Sequence, residues 1–342
     1  MANPKRILVT QIRSINGASL RHKACVRGLG LRRIGHAVDV EDTPAVRGLV
    51  HHARHLVRVL GEYWDFTRLS ESERTRMRNT SDALAKVPMG HATPIYMMDP
   101  SQDADAKYAI EENGKEVHED NINNGTGSLI RIDQRKYCVT AAHVLSKFRK
   151  RLDANPKVCF QVGNVQMNPF DLLVDEDATL DLAVLDMNDY SEADIAMSGE
   201  IPTSFLDIRK WPVQLPKKES FVMFGGYPKS RRIAFKRTVN FGSLSCGGAF
   251  VYQSNGQNII CQIETDRLAS EDYGLPIDPF GDPAGISGGP VLQERKTDGG
   301  VIVIDLVGFV YEYNPEFDML RIKPANWLNA DGTLKNASAY SC

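Results

Sequence analysis

Residues 125–144 read G-T-G-S-L-I-R-I-D-Q-R-K-Y-C-V-T-A-A-H-V. Small polar and apolar residues alternate up to Ile132, D-Q-R-K supplies a turn, and Y-C-V-T runs back, so the stretch is predicted to be a β-hairpin with His143 at the end of a hydrophobic strand. The same texture continues downstream in K-V-C-F-Q-V, D-L-A-V-L-D-M, F-V-M-F, T-V-N-F-G-S-L, A-F-V-Y-Q-S, N-I-I-C-Q-I, P-V-L-Q and V-I-V-I-D-L-V-G-F-V-Y. So many short strands at such spacing indicate an all-β barrel or sandwich.

Three chemically suggestive residues fall on this framework in the order His143, Asp181, Ser287. T-A-A-H-V carries the imidazole, T-L-D-L-A-V-L opens a buried strand with a carboxylate, and G-I-S-G-G-P sets a hydroxyl in a glycine-rich turn. Nucleophilic catalysis needs a hydroxyl whose proton an imidazole can take and an anion that holds the imidazole tautomer. Glycines beside Ser287 let the turn aim two backbone N–H groups at one developing oxyanion, and those donors are assigned to Gly285 and Ser287. His91 and His118 compete as bases without the T-A-A-H context. Asp177 and Asp186 compete with Asp181, which is preferred because the apolar run Leu182–Leu185 would bury it at a strand start. No cluster calls for a cofactor or a metal.

From Gly125 to Leu328 this pattern resembles the chymotrypsin-like, or trypsin-like, serine endopeptidases. The resemblance implies a peptide or protein substrate and two six-stranded β-barrels, the first carrying His143 and Asp181 and the second Ser287. It also implies a primary pocket floored by Gly281 or Asp282, with Tyr311, Glu312 and Tyr313 after the strand that lines it. Two positions depart from the family. Ile286 precedes the nucleophile where secreted members commonly have Asp, so no new N-terminal amine can pair there and the turn needs another support. Val144 follows the histidine, which removes a common disulfide.

Upstream the chain changes character. Residues 1–60 hold 11 Lys and Arg against three acidic residues, a charge of +8, whereas the remainder carries −10. Such asymmetry suggests two modules, the first facing an anion such as nucleic acid. Arg6–Ile12 is predicted as a strand, Ser19–Leu29 as a basic helix closed near Gly28 and Gly30, and Ala37–Glu41 as a second strand. Asp42-Thr43-Pro44 supplies the start of a helix over Pro44–Leu56, and Val57–Leu60 is a third strand. This β-α-β-α-β order predicts a small α+β domain, an antiparallel sheet covered by two helices on one face.

I-L-V-T-Q-I-R-S at 7–14, R-H-K-A at 21–24, G-L-G-L-R-R-I-G at 28–35 and E-D-T-P-A-V-R-G-L at 41–49 resemble the bacterial large-subunit ribosomal protein family numbered thirty. The resemblance implies binding to large-subunit ribosomal RNA through Arg13, His22, Lys23, Gly30, Arg32, Arg33 and Arg47. Lys and Arg neutralise phosphates there, and glycine permits close approach of the backbone.

The expected organisation is therefore multi-domain. Residues 1–60 form the ribosomal-type domain, 61–124 a linker with a helical or irregular extension, 125–330 the double-barrel peptidase domain and 331–342 a tail. Ser70-Glu71-Ser72-Glu73 fits a capping box for a helix running to Val87, and the polar, acidic stretch 99–124 reads as loop. The composition, 42% hydrophobic and 25% charged, excludes disordered and coiled-coil classes. With no apolar run long enough for a membrane and six thinly spread cysteines lacking any C-x-x-C pair, a cytoplasmic protein with reduced thiols is expected. Cys246 and Cys261 could face each other across one hairpin. The leading functional reading is a serine endopeptidase fused to an rRNA-binding domain. The alternative is a structural large-subunit ribosomal protein whose C-terminal extension is inactive or an artefact of gene fusion.

Overall fold

Ile7 and Val9 share one face of β1 (Arg6–Gln11), and both are buried in the computed structural model. The structure describes residues 6–41, 43–53, 56–62, 83–112, 115–197, 201–236, 238–263, 268–269, 284–297, 299–314 and 319–336. They belong to two compact units, residues 1–77 and 78–342.

In the first unit β1 lies between β2 (Ala37–Glu41) and β3 (Val57–Glu62), antiparallel to both. The helix α1 (Leu20–Gly28) starts where the Ser19 hydroxyl accepts the His22 N–H. It ends in a Schellman closure, with Gly30 at φ +83°, Gly30 N–H on Arg27 O and Leu31 N–H on Val26 O. Thr43 caps α2 (Pro44–Ala53) through its hydroxyl and the Val46 N–H, and Pro44 follows at the first helical position, where no donor is needed. Cys25, Val26 and Ala53 from the helices pack on Ile7, Val9 and Val57 from the sheet. The small β-α-β-α-β arrangement thus follows the local signals of the sequence closely.

The second unit is almost entirely β. Its half-barrel is built from β4 (Ala92–Met98), β7 (Asn123–Ile132), β8 (Arg135–Thr140), β9 (Cys159–Val162), β10 (Val165–Met167), β11 (Leu173–Asp177) and β12 (Leu182–Asp186). Their order is β10-β9-β4-β7-β8-β12-β11, with β13 (Leu206–Ile208) parallel to β7. A separate hairpin joins β5 (Lys107–Glu112) to β6 (Lys115–Asp120). The helix α3 (Ala142–Ala154) turns Val144, Leu145 and Phe148 into the apolar interior with Ile95, Leu129 and Phe160.

The other sheet closes on itself. β14 (Phe221–Gly226), β20 (Pro290–Lys296), β21 (Ile302–Asn314), β22 (Met319–Pro324), β18 (Ile259–Gln262) and β17 (Leu244–Ser254) pair in that order, and β17 pairs back with β14. β15 (Arg232–Phe235) and β16 (Thr238–Phe241) form a hairpin, and β19 (Leu268–Ala269) adds to β17. Val222, Phe224, Cys246, Val251, Cys261 and Val291 fill the closed barrel. Ile130, Val139 and Val184 of the half-barrel meet Met223, Leu292 and Phe309 of the closed one in a shared apolar seam.

Several expectations are corrected. Among the described residues only one of the two sheets is a closed six-stranded barrel, since β10 and β11 end the other without pairing each other. Residues 92–98, expected in a linker, form β4 between β7 and β9, with Ile95 and Met97 buried. The apolar run P-I-Y-M-M is short and does not alternate, so it carries no period to mark it as a strand. Part of the stretch expected as loop is the β5–β6 hairpin. The expected tail folds back as far as residue 336: Leu334 bridges to Leu328, and its N–H donates to Asp175 Oδ2 at 2.7 Å. Residues 83–89 are helical, and the capping box at Ser70–Glu73 lies outside the described residues. Cys261 pairs in register with Val251, so Cys246 is not opposite it across the β17–β18 hairpin, and neither is in a disulfide. Among the described residues no helix is long and apolar enough to cross a membrane.

Candidate active site

β8 ends at Thr140 and the chain turns at once into α3, so His143 occupies the first helical turn rather than a strand end. The first N–H groups of a helix have no partner within it, and Ala141 at the cap offers no side chain to receive one. Asp181 supplies that acceptor from 38 residues away. Its Oδ1 accepts the His143 backbone N–H at 2.8 Å, and its Oδ2 faces His143 Nδ1 at 2.8 Å. An ionised carboxylate only accepts, so the ring proton sits on Nδ1 and Nε2 is left as the acceptor.

Asp181 is held for this task by its own neighbours. It stands in the turn between β11 and β12 at φ +53°, a left-handed conformation that Asp tolerates better than most residues. Leu180 and Leu182 are buried on either side, and Asp177 Oδ1 accepts the N–H groups of Thr179 and Leu180 at 2.7 and 2.9 Å. The competing acids are thereby occupied: Asp177 shapes the turn, and Asp186 Oδ1 takes the Asn188 N–H. Of the competing bases, His91 lies against Ser204 O, with burial pushing its pKa down. The side chain of His118 lies outside the described residues.

Ser287 precedes β20. Its hydroxyl donates to Tyr311 O at 3.1 Å, and among the described residues it has no hydrogen bond to His143. The structure therefore joins His143 to Asp181 directly and places Ser287 in the neighbouring turn. Two contact paths link them. Thr126 N–H donates to Ser287 O at 3.2 Å, while Thr126 O accepts the Thr140 hydroxyl at 2.8 Å, three residues before His143. On the other side, Lys323 Nζ lies 4.6 Å from the centroid of the Tyr311 ring and feels the charges of Asp181 and Asp177. Burial pushes the Lys323 pKa below its usual value, against the pull of both carboxylates.

Five consecutive carbonyls of the Ser287 turn accept protein donors. Ala284 O takes Lys229 N–H at 2.6 Å, Gly285 O the Thr126 hydroxyl at 2.6 Å, and Ile286 O the Gly289 N–H at 3.0 Å. Ser287 O takes the Thr126 N–H, and Gly288 O the Ser128 hydroxyl at 2.6 Å. By contrast the N–H groups of Gly285 and Ser287 have no acceptor among the described residues. Glycine is required at Gly285, where φ is +106° and a Cβ would lie 2.6 Å from Asn124 Nδ2. It is required equally at Gly288, where a Cβ would strike the Thr126 carbonyl and come within 2.9 Å of Thr140 Cα.

The start of β7 and the residues just before it are fixed by two buried guanidiniums. Arg232 donates to Ile122 O at 2.8 Å and Asn124 Oδ1 at 3.0 Å, and Arg151 donates to Asn121 O at 2.7 Å. Burial pushes the Arg151 pKa down to about 10. Sequence reasoning missed Asn124, Thr126, Ser128 and Lys323. The first three did leave a signal, since they recur at every second position of an otherwise apolar strand and so share one face. Gly281 and Asp282, expected to floor a primary pocket, lie outside the described residues.

In the first unit Arg13, Gly30, Arg32, Arg33 and Arg47 are exposed, while His22 and Lys23 are half-buried. Gln11 N–H on His36 O and Gly35 N–H on Gln11 O hold the loop that carries Arg32 and Arg33 beside the end of β1, next to Arg13.

Residues 7–57 match the family described as ribosomal protein L30p/L7e. Large ribosomal subunit protein uL30 of Marinobacter nauticus is 58% identical over 59 residues, which is 17% of this chain and 95% of that protein. The uL30 of Chromohalobacter salexigens is 64% identical over 56 residues, 16% of this chain and 92% of that protein. Among solved structures, a thermostable serine protease AL20 from an extremophilic microorganism aligns with a TM-score of 0.34 at 11% identity, covering 69% of this chain and 91% of that one. Tobacco etch virus protease complexed with product aligns with a TM-score of 0.30 at 12% identity, covering 72% of this chain and 75% of that one.

Proposed function

Through its first unit the chain belongs to the ribosomal protein L30p/L7e family, and from that footing we propose an rRNA-binding domain joined to a serine endopeptidase, working in the cytoplasm. The first unit binds large-subunit ribosomal RNA through Arg13, Arg32, Arg33 and Arg47, with His22 and Lys23 beside them and Gly30 allowing close approach. The second unit cleaves peptide bonds of a protein substrate.

The observation that carries the enzymatic reading is the doubly bonded Asp181–His143 pair, with its free Nε2, beside a turn whose two N–H groups lack acceptors among the described residues. In the proposed reaction a χ1 rotation moves the Ser287 hydroxyl from Tyr311 O to His143 Nε2. Oγ attacks the scissile carbonyl carbon as its proton passes to Nε2. The new oxyanion is received by the N–H groups of Gly285 and Ser287. Collapse expels the amine, which takes the proton from the imidazolium, and water then releases the acyl group from Ser287 by the same path. Asp181 stays ionised and steadies the imidazolium.

The test is labelling of the full chain by a fluorophosphonate probe, with the modified residue located by mass spectrometry. Labelling at Ser287 that is lost in Ser287→Ala supports the reading, and a folded wild type that resists the probe overturns it. The resting bond from Ser287 to Tyr311 O favours one competing reading, a ribosomal protein carrying a non-catalytic module. Absent labelling combined with co-sedimentation on large subunits would establish that reading instead.

A further inference from the structure

Asn124, Thr126 and Ser128 lie on one face of β7, and Thr126 and Ser128 are fully buried. Buried hydroxyls need partners, and here each reaches the nucleophile turn across more than 150 residues of sequence. Ile286, buried in the closed barrel, fills the position before the nucleophile and offers the turn no ion pair. We propose that the Thr126 hydroxyl is the positioning residue that holds the oxyanion-binding turn in its working shape, so that this site needs no cleavage of the chain to become competent. This rests on the serine-hydrolase reading above and concerns how that site is regulated.

Peptide geometry carries the argument. In a trans peptide the carbonyl and the following N–H point in opposite directions, so fixing one aims the other. Lys229 N–H on Ala284 O aims the Gly285 N–H, and Gly289 N–H on Ile286 O aims the Ser287 N–H. Between these two peptides lies the Gly285–Ile286 peptide, which could rotate about the permissive glycine. Its single tether among the described residues is the Thr126 hydroxyl on Gly285 O at 2.6 Å. The direction of that hydroxyl is set in turn. Tyr227 N–H donates to Thr126 Oγ1 at 2.9 Å, so the one Thr126 proton must point to Gly285 O. Asn124 supports the same point from outside by donating to Tyr227 O at 2.8 Å.

The full chain is compared as wild type, Thr126→Ala and Thr126→Ser by three measurements: the rate of fluorophosphonate labelling at Ser287, kcat and KM for p-nitrophenyl butyrate, and thermal stability. Removing an oxyanion donor outright costs about 10²–10³ in rate, and loosening two donors should cost roughly 10–100-fold in labelling and kcat in Thr126→Ala. KM should change by less than about twofold, because the contact forms only with the tetrahedral species. Thr126→Ser should stay within about threefold of wild type. A Thr126→Ala rate equal to wild type overturns the lock and leaves the hydrolase reading intact, as does a Thr126→Ser rate as low as that of Thr126→Ala. A wild type that is never labelled removes both. Should Thr126→Ala fail to fold, Thr126→Cys keeps the size with a weaker donor: an intermediate rate supports the lock, and a wild-type rate overturns it.

Discussion

Replacing Asp181 by Asn separates its two duties. The carboxylate uses Oδ1 for the His143 backbone N–H and Oδ2 for Nδ1, each at 2.8 Å. A backbone N–H can only donate, so the single oxygen of the substituted side-chain amide must stay with it, and the NH₂ group is turned towards the ring. Nδ1 then becomes the acceptor and the ring proton moves to Nε2, where it blocks removal of the Ser287 proton. The helix keeps its cap while the base is lost. An inverted tautomer of this kind costs about 10⁴ in rate, equivalent to ~5.5 kcal/mol of barrier. We therefore expect Asp181→Asn to lower fluorophosphonate labelling of Ser287 by about 10³–10⁴ near pH 7, with Tm within ~3 °C of wild type. Asp181→Ala should lose the cap as well, a further loss of ~0.5–2 kcal/mol of stability visible as a lower Tm. Labelling of Asp181→Asn within about tenfold of wild type would refute the assignment of the base and its orienting acid.

Two other outcomes are expected. Gly288→Ala should lower Tm by roughly 3–10 °C and suppress labelling, because its methyl meets the Thr126 carbonyl and Thr140 Cα and must part the turn from β7; an unchanged melt would mean that the two do not pack as described. Arg32→Gln with Arg33→Gln should weaken co-sedimentation with large ribosomal subunits without altering Tm, since both side chains are exposed, and should reduce the slope of log affinity against log salt by about 1.5–2.

The first unit was legible because its instructions are local. Ser19, Thr43 and Pro44 start helices, Gly30 closes one, and alternating residues mark β1 and β2, all within a few positions of the feature they control. The short strands of the second unit were legible for the same reason, whereas the contact of His143 with Asp181 joins residues 38 positions apart. What the sequence hid depends on distant partners. No local pattern announces that Asp181 caps a helix 38 residues upstream, and the helix itself carries no local sign because T-A-A-H reads as the end of a strand. β4 lacked a period because both of its faces are covered. The hydroxyls of Thr126 and Ser128 look like those of ordinary strand residues, since their acceptors lie some 160 positions later.

That last arrangement also governs how the second unit comes apart. The Ser287 turn takes three of its five carbonyl donors from the half-barrel strand β7, yet its Ile286 side chain lies in the oily interior of the closed barrel. Neither sheet can loosen alone without tearing at this stitch, so calorimetry of residues 78–342 within the intact chain should record one sharp endotherm for both sheets rather than two staggered ones.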